Sequence, residues 1–106
     1  MNYRRLKDLP GDLLPRERLH HYGPESLTNK ELLAILLRVG VKGENVLDLA
    51  ERIIIEAGGL SGLVKMTVHE LAQVHGIGPA KAAQVKAALE LGKRSVCADP
   101  VSRPVI

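Results

Sequence analysis

The segment that decides the fold is His75-Gly76-Ile77-Gly78-Pro79-Ala80-Lys81-Ala82, in which two glycines flank one large apolar residue. Gly76 can adopt a positive φ and reverse the chain, so that Ile77 turns into a core. Pro79 suits the first turn of a helix, where its missing N–H removes no hydrogen bond. The segment therefore predicts a tight hairpin that leads into a helix and leaves peptide N–H groups exposed at the helix N-terminus.

Helical patterns flank this hairpin on both sides. A helix is predicted to begin at Thr28, which has capping-box spacing to Glu31, and to end at Gly40 in the left-handed conformation. A second helix is predicted over Asn45–Ala57 and ends at Gly58, and a short connecting helix follows over Leu60–Met66 with Ser61 as its cap. The next helix runs from Thr67, which has capping-box spacing to Glu70, to Gly76. The last predicted helix covers Pro79–Arg94.

The two halves align on their turns at an offset of 36 residues. This offset places Gly40 on Gly76, Val41 on Ile77 and Leu49 on Val85, which indicates an imperfect duplication of one helix-turn-helix unit. The predicted fold class is all-α: a pseudo-duplicated helix-hairpin-helix of about five helices, including the connector, plus a short helical N-terminal arm. The predicted boundaries are a basic arm over 1–24 with a helix at Pro15–His21, the double domain over 25–95 and a linker over 96–106.

The composition allows a polyanionic partner and disfavours base recognition by stacking. The chain has 106 residues, a net charge of +3, no Phe or Trp and only two Tyr, so aromatic platforms for bases are missing. The single Cys97 excludes an internal disulfide. Because neither a signal pattern nor an apolar run of about 20 residues is present, we expect a soluble cytoplasmic protein without a membrane partner.

A nest of peptide N–H groups where Gly78 meets Pro79 is the candidate binding site. Partial positive charge at a helix N-terminus favours a phosphate oxygen. In the first hairpin Lys42 replaces the second turn glycine and Glu44 adds a carboxylate, so we expect that copy to be structural. The residues predicted to contact nucleic acid are Gly76, Ile77, Gly78, Ala80, Lys81, Lys86 and Arg94.

Three stretches together carry a family resemblance. The turn over Gly76–Ala82 resembles the helix-hairpin-helix signature of DNA repair and recombination proteins, and with Leu14–Leu19 and Glu31–Leu37 it is similar to the N-terminal half of the RadC-like family. The resemblance implies sequence-nonspecific DNA binding and a C-terminal JAB/MPN-type zinc domain that this sequence lacks. It also permits a monovalent cation on the turn carbonyls, and no other cofactor is expected.

Other functional interpretations are weaker. The alternative to DNA binding is a protein-docking domain that meets a partner or the absent C-terminal domain. We expect no enzyme activity. The four histidines lack metal-ligand spacing, and no side chain that could accept the thiol proton is evident beside Cys97. Asp99 has no residues around it to build a pocket for a flipped nucleobase. A further set of basic residues either extends the surface that binds phosphates or forms a solvent-exposed arm, and the sequence leaves both interpretations open. These residues are Arg4, Arg5, Lys7, Arg16 and Arg18.

Overall fold

Six α-helices and one short 3-10 turn make up the part of the chain that the computed structural model describes, residues 14–97. The predictions for residues 1–13, with Arg4, Arg5 and Lys7, and for Asp99 and the end of the linker lie outside the described residues. The 3-10 turn is Pro24–Ser26, and the helices are α1 (Pro15–Tyr22), α2 (Asn29–Leu37), α3 (Val46–Ala57), α4 (Leu60–Lys65), α5 (Val68–Ala72) and α6 (Gly78–Cys97).

The predicted capping boxes of α2 and α5 are both present. The Glu31 N–H donates to Thr28 Oγ1 at 3.3 Å, and the Thr28 N–H donates to the Glu31 carboxylate at 2.8 Å. The same pair of bonds joins Thr67 and Glu70, at 3.0 and 2.9 Å. Each cap satisfies a donor that the helix cannot, which typically contributes about 1 kcal/mol.

Several predicted helix ends were wrong by a few residues. The α2 helix stops at Leu37 because Arg38, not Gly40, takes the positive φ of 75°. Gly40 is required for a different reason: a Cβ there would collide with the carbonyl oxygen of Glu44. Ser61 lies inside α4 and does not cap it, and Gly59 occupies the capping position. The α5 helix ends at Ala72, so Gly76 belongs to the turn that follows.

The buried core is built from aliphatic side chains of five helices and the second turn. The α2–α3 pair and the α5–α6 pair each form a helical hairpin, α6 also packs on α2, and α4 connects the pairs from its place against α3. This arrangement confirms the all-α prediction, and residues 14–97 contain no strand. The core residues are Leu33, Ala34, Leu37, Leu49, Ala50, Ile53, Leu63, Leu71, Ile77, Ala82 and Val85.

The first helix is attached to this core through Arg18. Its guanidinium contacts the Glu31 carboxylate at 3.2 Å and donates to the Ser26 carbonyl oxygen at 2.8 Å. Arg18 therefore connects α1 to the N-terminus of α2, and the Glu31 carboxylate compensates its charge.

Two helical glycines have opposite surroundings and give a matched test of the packing. A Cβ at Gly62 would collide with the backbone of Ala57, whereas a Cβ at Gly92 would meet open space. We expect Gly62→Ala to lower the free energy of unfolding by about 1–3 kcal/mol through overpacking. Gly92→Ala should raise it by about 0.5–1 kcal/mol through helix propensity. Urea unfolding followed by circular dichroism checks both values, and shifts of the same sign would contradict the packing of α3 on α4.

Candidate nucleic-acid interface

The second hairpin turn points one glycine inward and the other outward. Gly76 has φ 93°, as the sequence predicted for a chain reversal, and Gly78 also has a positive φ, of 67°. A Cβ at Gly76 would lie 3.0 Å from Leu49 Cδ1, while a Cβ at Gly78 would meet nothing within 4 Å. Ile77 between them is only 5% exposed. The turn is therefore anchored in the core on one side and open to the surroundings on the other.

Two backbone donors remain available where α6 begins. The first N–H groups of a helix have no partner within it, and here Pro79 has no N–H at all. The Ile77 N–H donates to the Val74 carbonyl oxygen at 3.0 Å, so this amide is used within the turn. Within residues 14–97, no hydrogen bond outside the helices engages the N–H of Gly78 or Ala80. Pro79 and Ala80 are exposed, so neither side chains nor the interior block this N-terminus.

Only one of the three predicted basic residues lies beside the turn. Lys81 is in the first turn of α6, and its Nζ donates to the Val39 carbonyl oxygen at 2.7 Å. Lys86 Nζ donates instead to the Val64 carbonyl oxygen of α4 at 2.7 Å. Arg94 pairs with Glu90 at 3.0 Å, and at 1.5 Å per residue it lies about 24 Å along the helix from Gly78. The structure therefore brings Lys81, and not Lys86 or Arg94, to the hairpin.

An arginine that the sequence did not single out joins the two hairpin turns. Arg52 Nε and Nη2 each contact a carboxylate oxygen of Glu44 at 2.9 Å, and Nη1 lies 3.1 Å from the Glu56 carboxylate. Arg52 Nη2 also donates to the His75 carbonyl oxygen in the second turn at 2.7 Å. The sequence showed the helical spacing of Arg52 to Glu56, but no local pattern could indicate the bond to His75.

This contact sets the electrostatics around the hairpin. The hydrogen bond from Arg52 lowers the pKa of the Glu44 carboxyl, and the same bond with a second one to Glu56 raises the pKa of Arg52. The Glu44 charge is therefore compensated at short range and does not face the open turn alone. The His75 carbonyl in the second turn accepts a hydrogen bond from a cationic guanidinium.

A comparison with known protein families shows the family of this chain. A family model described as UPF0758 N-terminal matches residues 6–83. The chain belongs to the UPF0758 family. This agrees with the RadC-like resemblance of the three sequence stretches.

Curated relatives match most or all of this chain and are longer than it. The chain is 68% identical over 106 residues to a UPF0758 protein of Desulfitobacterium hafniense, covering all of this chain and 47% of the relative. It is 53% identical over 97 residues to one of Geobacillus kaustophilus, covering 89% and 43%. It is 49% identical over 100 residues to one of Methylibium petroleiphilum, covering 94% and 45%. The chain thus spans less than half the length of these relatives, and no solved structure matches it.

Across residues 14–97, no three His, Cys, Asp or Glu side chains gather where they could hold a metal ion. None of the helices in this range has the length and apolar character needed to cross a membrane.

The Glu44 contact predicts a pH-dependent contribution to stability. Because the folded-state pKa of Glu44 lies below its ordinary value of 4.5, its contribution is present above that pH and is lost as pH falls through the folded pKa. We expect Glu44→Gln to lower Tm at pH 6–7, and the difference from wild type to shrink below pH 4.5. Thermal unfolding at pH 3–7 measures this trend.

Glu90→Gln is the matched control, because Arg94 lowers the pKa of that carboxyl too but far from the hairpin. In amide NMR spectra, Glu44→Gln should move the signals of Gly76 and Gly78, and Glu90→Gln should leave them in place. A Tm difference for Glu44→Gln that persists undiminished to pH 3 would contradict this assignment.

Proposed function

We propose that this domain binds the phosphate backbone of DNA without reading sequence, through the N-terminus of α6. The observation that carries the proposal is the unblocked turn at Gly78, where the N–H groups of Gly78 and Ala80 have no acceptor in the described chain. Exposed backbone donors at a helix N-terminus, aided by the helix dipole, suit a phosphate oxygen. The RadC-like resemblance supports a DNA repair or recombination context.

The N-terminus of α6 differs from those of the other long helices. In α2 and α3, the side chains of Thr28 and Asn45 accept a first-turn N–H, and Glu31 and Asp48 place a carboxylate there. These groups satisfy the donors and repel an anion. The first turn of α6 contains no acidic residue. An anion that approaches this domain therefore finds available donors and no opposing charge at α6.

The charges nearby favour weak backbone binding. Lys81 contributes a positive charge at the first turn, and Arg52 compensates the carboxylate of Glu44. The net charge of the chain is only +3. We therefore expect weak, salt-sensitive binding, in which log affinity falls by about 0.9 per log unit of salt for each phosphate neutralised on a duplex.

Base recognition has no support in the described surface. Tyr22 is the aromatic residue of residues 14–97, and it lies on α1 rather than beside the hairpin. Without stacking platforms or side chains reaching into a groove, the contacts we propose position the protein on the backbone and carry no sequence information.

The decisive experiment compares Gly78→Ala with Gly58→Ala in fluorescence-anisotropy titrations of a labelled DNA duplex at low salt. Both glycines have positive φ, 67° and 85°, and at both a Cβ would meet open space. Each substitution should therefore lower stability by a similar amount, about 1–2 kcal/mol. Only Gly78→Ala places a methyl group at the α6 N-terminus, and loss of one charge-assisted hydrogen bond there weakens binding about tenfold.

Amide NMR with the unlabelled duplex provides the second measurement. The signals of Gly78 and Ala80 should shift on addition of DNA, and those of Gly58 should not. Equal affinities of the two variants, or shifts confined to other surfaces, would refute the proposed site.

Docking to another protein segment is the second candidate function, because large apolar side chains are exposed. Ile55, Leu91 and Val96 are 69%, 70% and 84% exposed. The matched relative of Desulfitobacterium hafniense is more than twice as long as this chain, and its additional residues could cover such side chains. If the wild type fails to bind duplex at low salt, docking becomes the favoured function.

A further inference from the structure

A strained turn holds Arg38 directly after α2. Arg38 has φ 75° and ψ −56°, and it is the one non-glycine residue with positive φ within residues 14–97. The Val39 N–H donates to the Leu37 carbonyl oxygen at 2.9 Å, which closes a three-residue γ-turn of the rare, strained kind. Such a conformation persists only where the surrounding structure enforces it, and it is common at functional sites.

The enforcing contacts come from α6. Lys81 Nζ donates to the Val39 carbonyl oxygen at 2.7 Å, and Gln84 Nε2 donates to the Leu36 carbonyl oxygen. These two carbonyls flank Arg38 in the chain. Side chains from the first two turns of α6 therefore clamp the backbone of the strained turn, while the Arg38 side chain lines a groove next to α1 and α2.

The charge of Arg38 is not used within the described protein. Among residues 14–97, the guanidiniums of Arg18, Arg52 and Arg94 each pair with a carboxylate, whereas Arg38 is exposed and pairs with none.

Arg16 is also exposed without a carboxylate partner in this range, and it lines the same groove of about 380 Å³ as Arg38. Glu17, the acidic residue of that groove, accepts a hydrogen bond from the Leu14 N–H at 2.9 Å as part of the α1 cap. The groove therefore carries two guanidiniums that form no ion pair with a carboxylate of residues 14–97.

We propose that Arg38, with Arg16 across the groove, binds a second phosphate of the same DNA. This inference rests on the proposed function and extends its footprint from the α6 N-terminus onto the end of α2. A guanidinium binds a phosphate through two parallel hydrogen bonds, which suits an arginine held in a fixed place. The strain at residue 38 is then the cost of presenting that side chain.

The test compares Arg38→Gln, Arg38→Gly and Arg16→Gln with Lys93→Gln, an exposed charge-loss control near the opposite end of α6. Duplex affinity is measured over a series of salt concentrations. Arg38→Gln should reduce the slope of log affinity against log salt by about 0.9, the loss of one neutralised phosphate. Lys93→Gln should leave the slope at the wild-type value.

Arg38→Gly provides a readout that a purely structural role would not give. Glycine accepts the positive φ, so Tm should rise by about 4 °C, while the affinity for duplex should fall as in Arg38→Gln. If this variant is more stable than the wild type and binds duplex less tightly, the result supports a role of Arg38 in DNA binding that lowers the stability of the domain.

The outcomes separate the two proposals. If Gly78→Ala weakens binding but Arg38→Gln behaves like Lys93→Gln, the second contact is refuted and the α6 site stands. If Arg38→Gln weakens binding while Gly78→Ala matches Gly58→Ala, the α6 site is refuted and the arginine contact stands. A wild type that does not bind duplex at low salt refutes both.

Discussion

The contact between the two helical hairpins is the constraint on which the candidate site depends. Ile77, Ala82 and Val85 bring the second turn and α6 into the core formed with α2 and α3. Buried apolar contacts hold the hairpins together and anchor the second turn through Ile77. Arg52 adds a polar link between the turns, since one guanidinium bonds to Glu44 in the first turn and to His75 in the second. A change in either partner would alter the setting of both turns.

Local features of this fold could be predicted from sequence, and nonlocal features could not. The capping boxes at Thr28 and Thr67 depend on residues three positions apart, so their spacing was visible. The positive φ of Gly76 followed from turn chemistry. Arg38 is a counterexample: an arginine is a poor choice for a positive φ by local rules, and only its clamping by α6 explains the conformation. The contacts between α6 and this turn thus outweigh the local preference, which favours a positive φ at Gly40 rather than at Arg38.

The same distinction explains which site residues were found. The hairpin glycines carried their own signal, because a glycine can reverse the chain and a proline suits the first turn of the helix that follows. Lys86 and Arg94 lie on the polar face of α6, but charge on a helix face does not determine distance from its N-terminus. Arg52 could not be predicted as part of the site, because its partner in the second turn is 23 residues away in the chain.

The two hairpins share packing positions but differ at the turn where we propose that an anion binds. At an offset of 36 residues, Lys42 stands where Gly78 stands in the second copy. In the first turn, Val41 and Glu44 exchange both of their backbone hydrogen bonds at 2.9 Å, so those donors are consumed within the turn. Asn45 then caps α3 through the Asp48 N–H at 2.8 Å. The second copy has neither the closed exchange nor the side-chain cap, and its Gly78 and Ala80 amides stay available. One hairpin can thus use its turn for packing while the other leaves its turn exposed, because the residues that bury a hairpin and those that satisfy its amides occupy different positions.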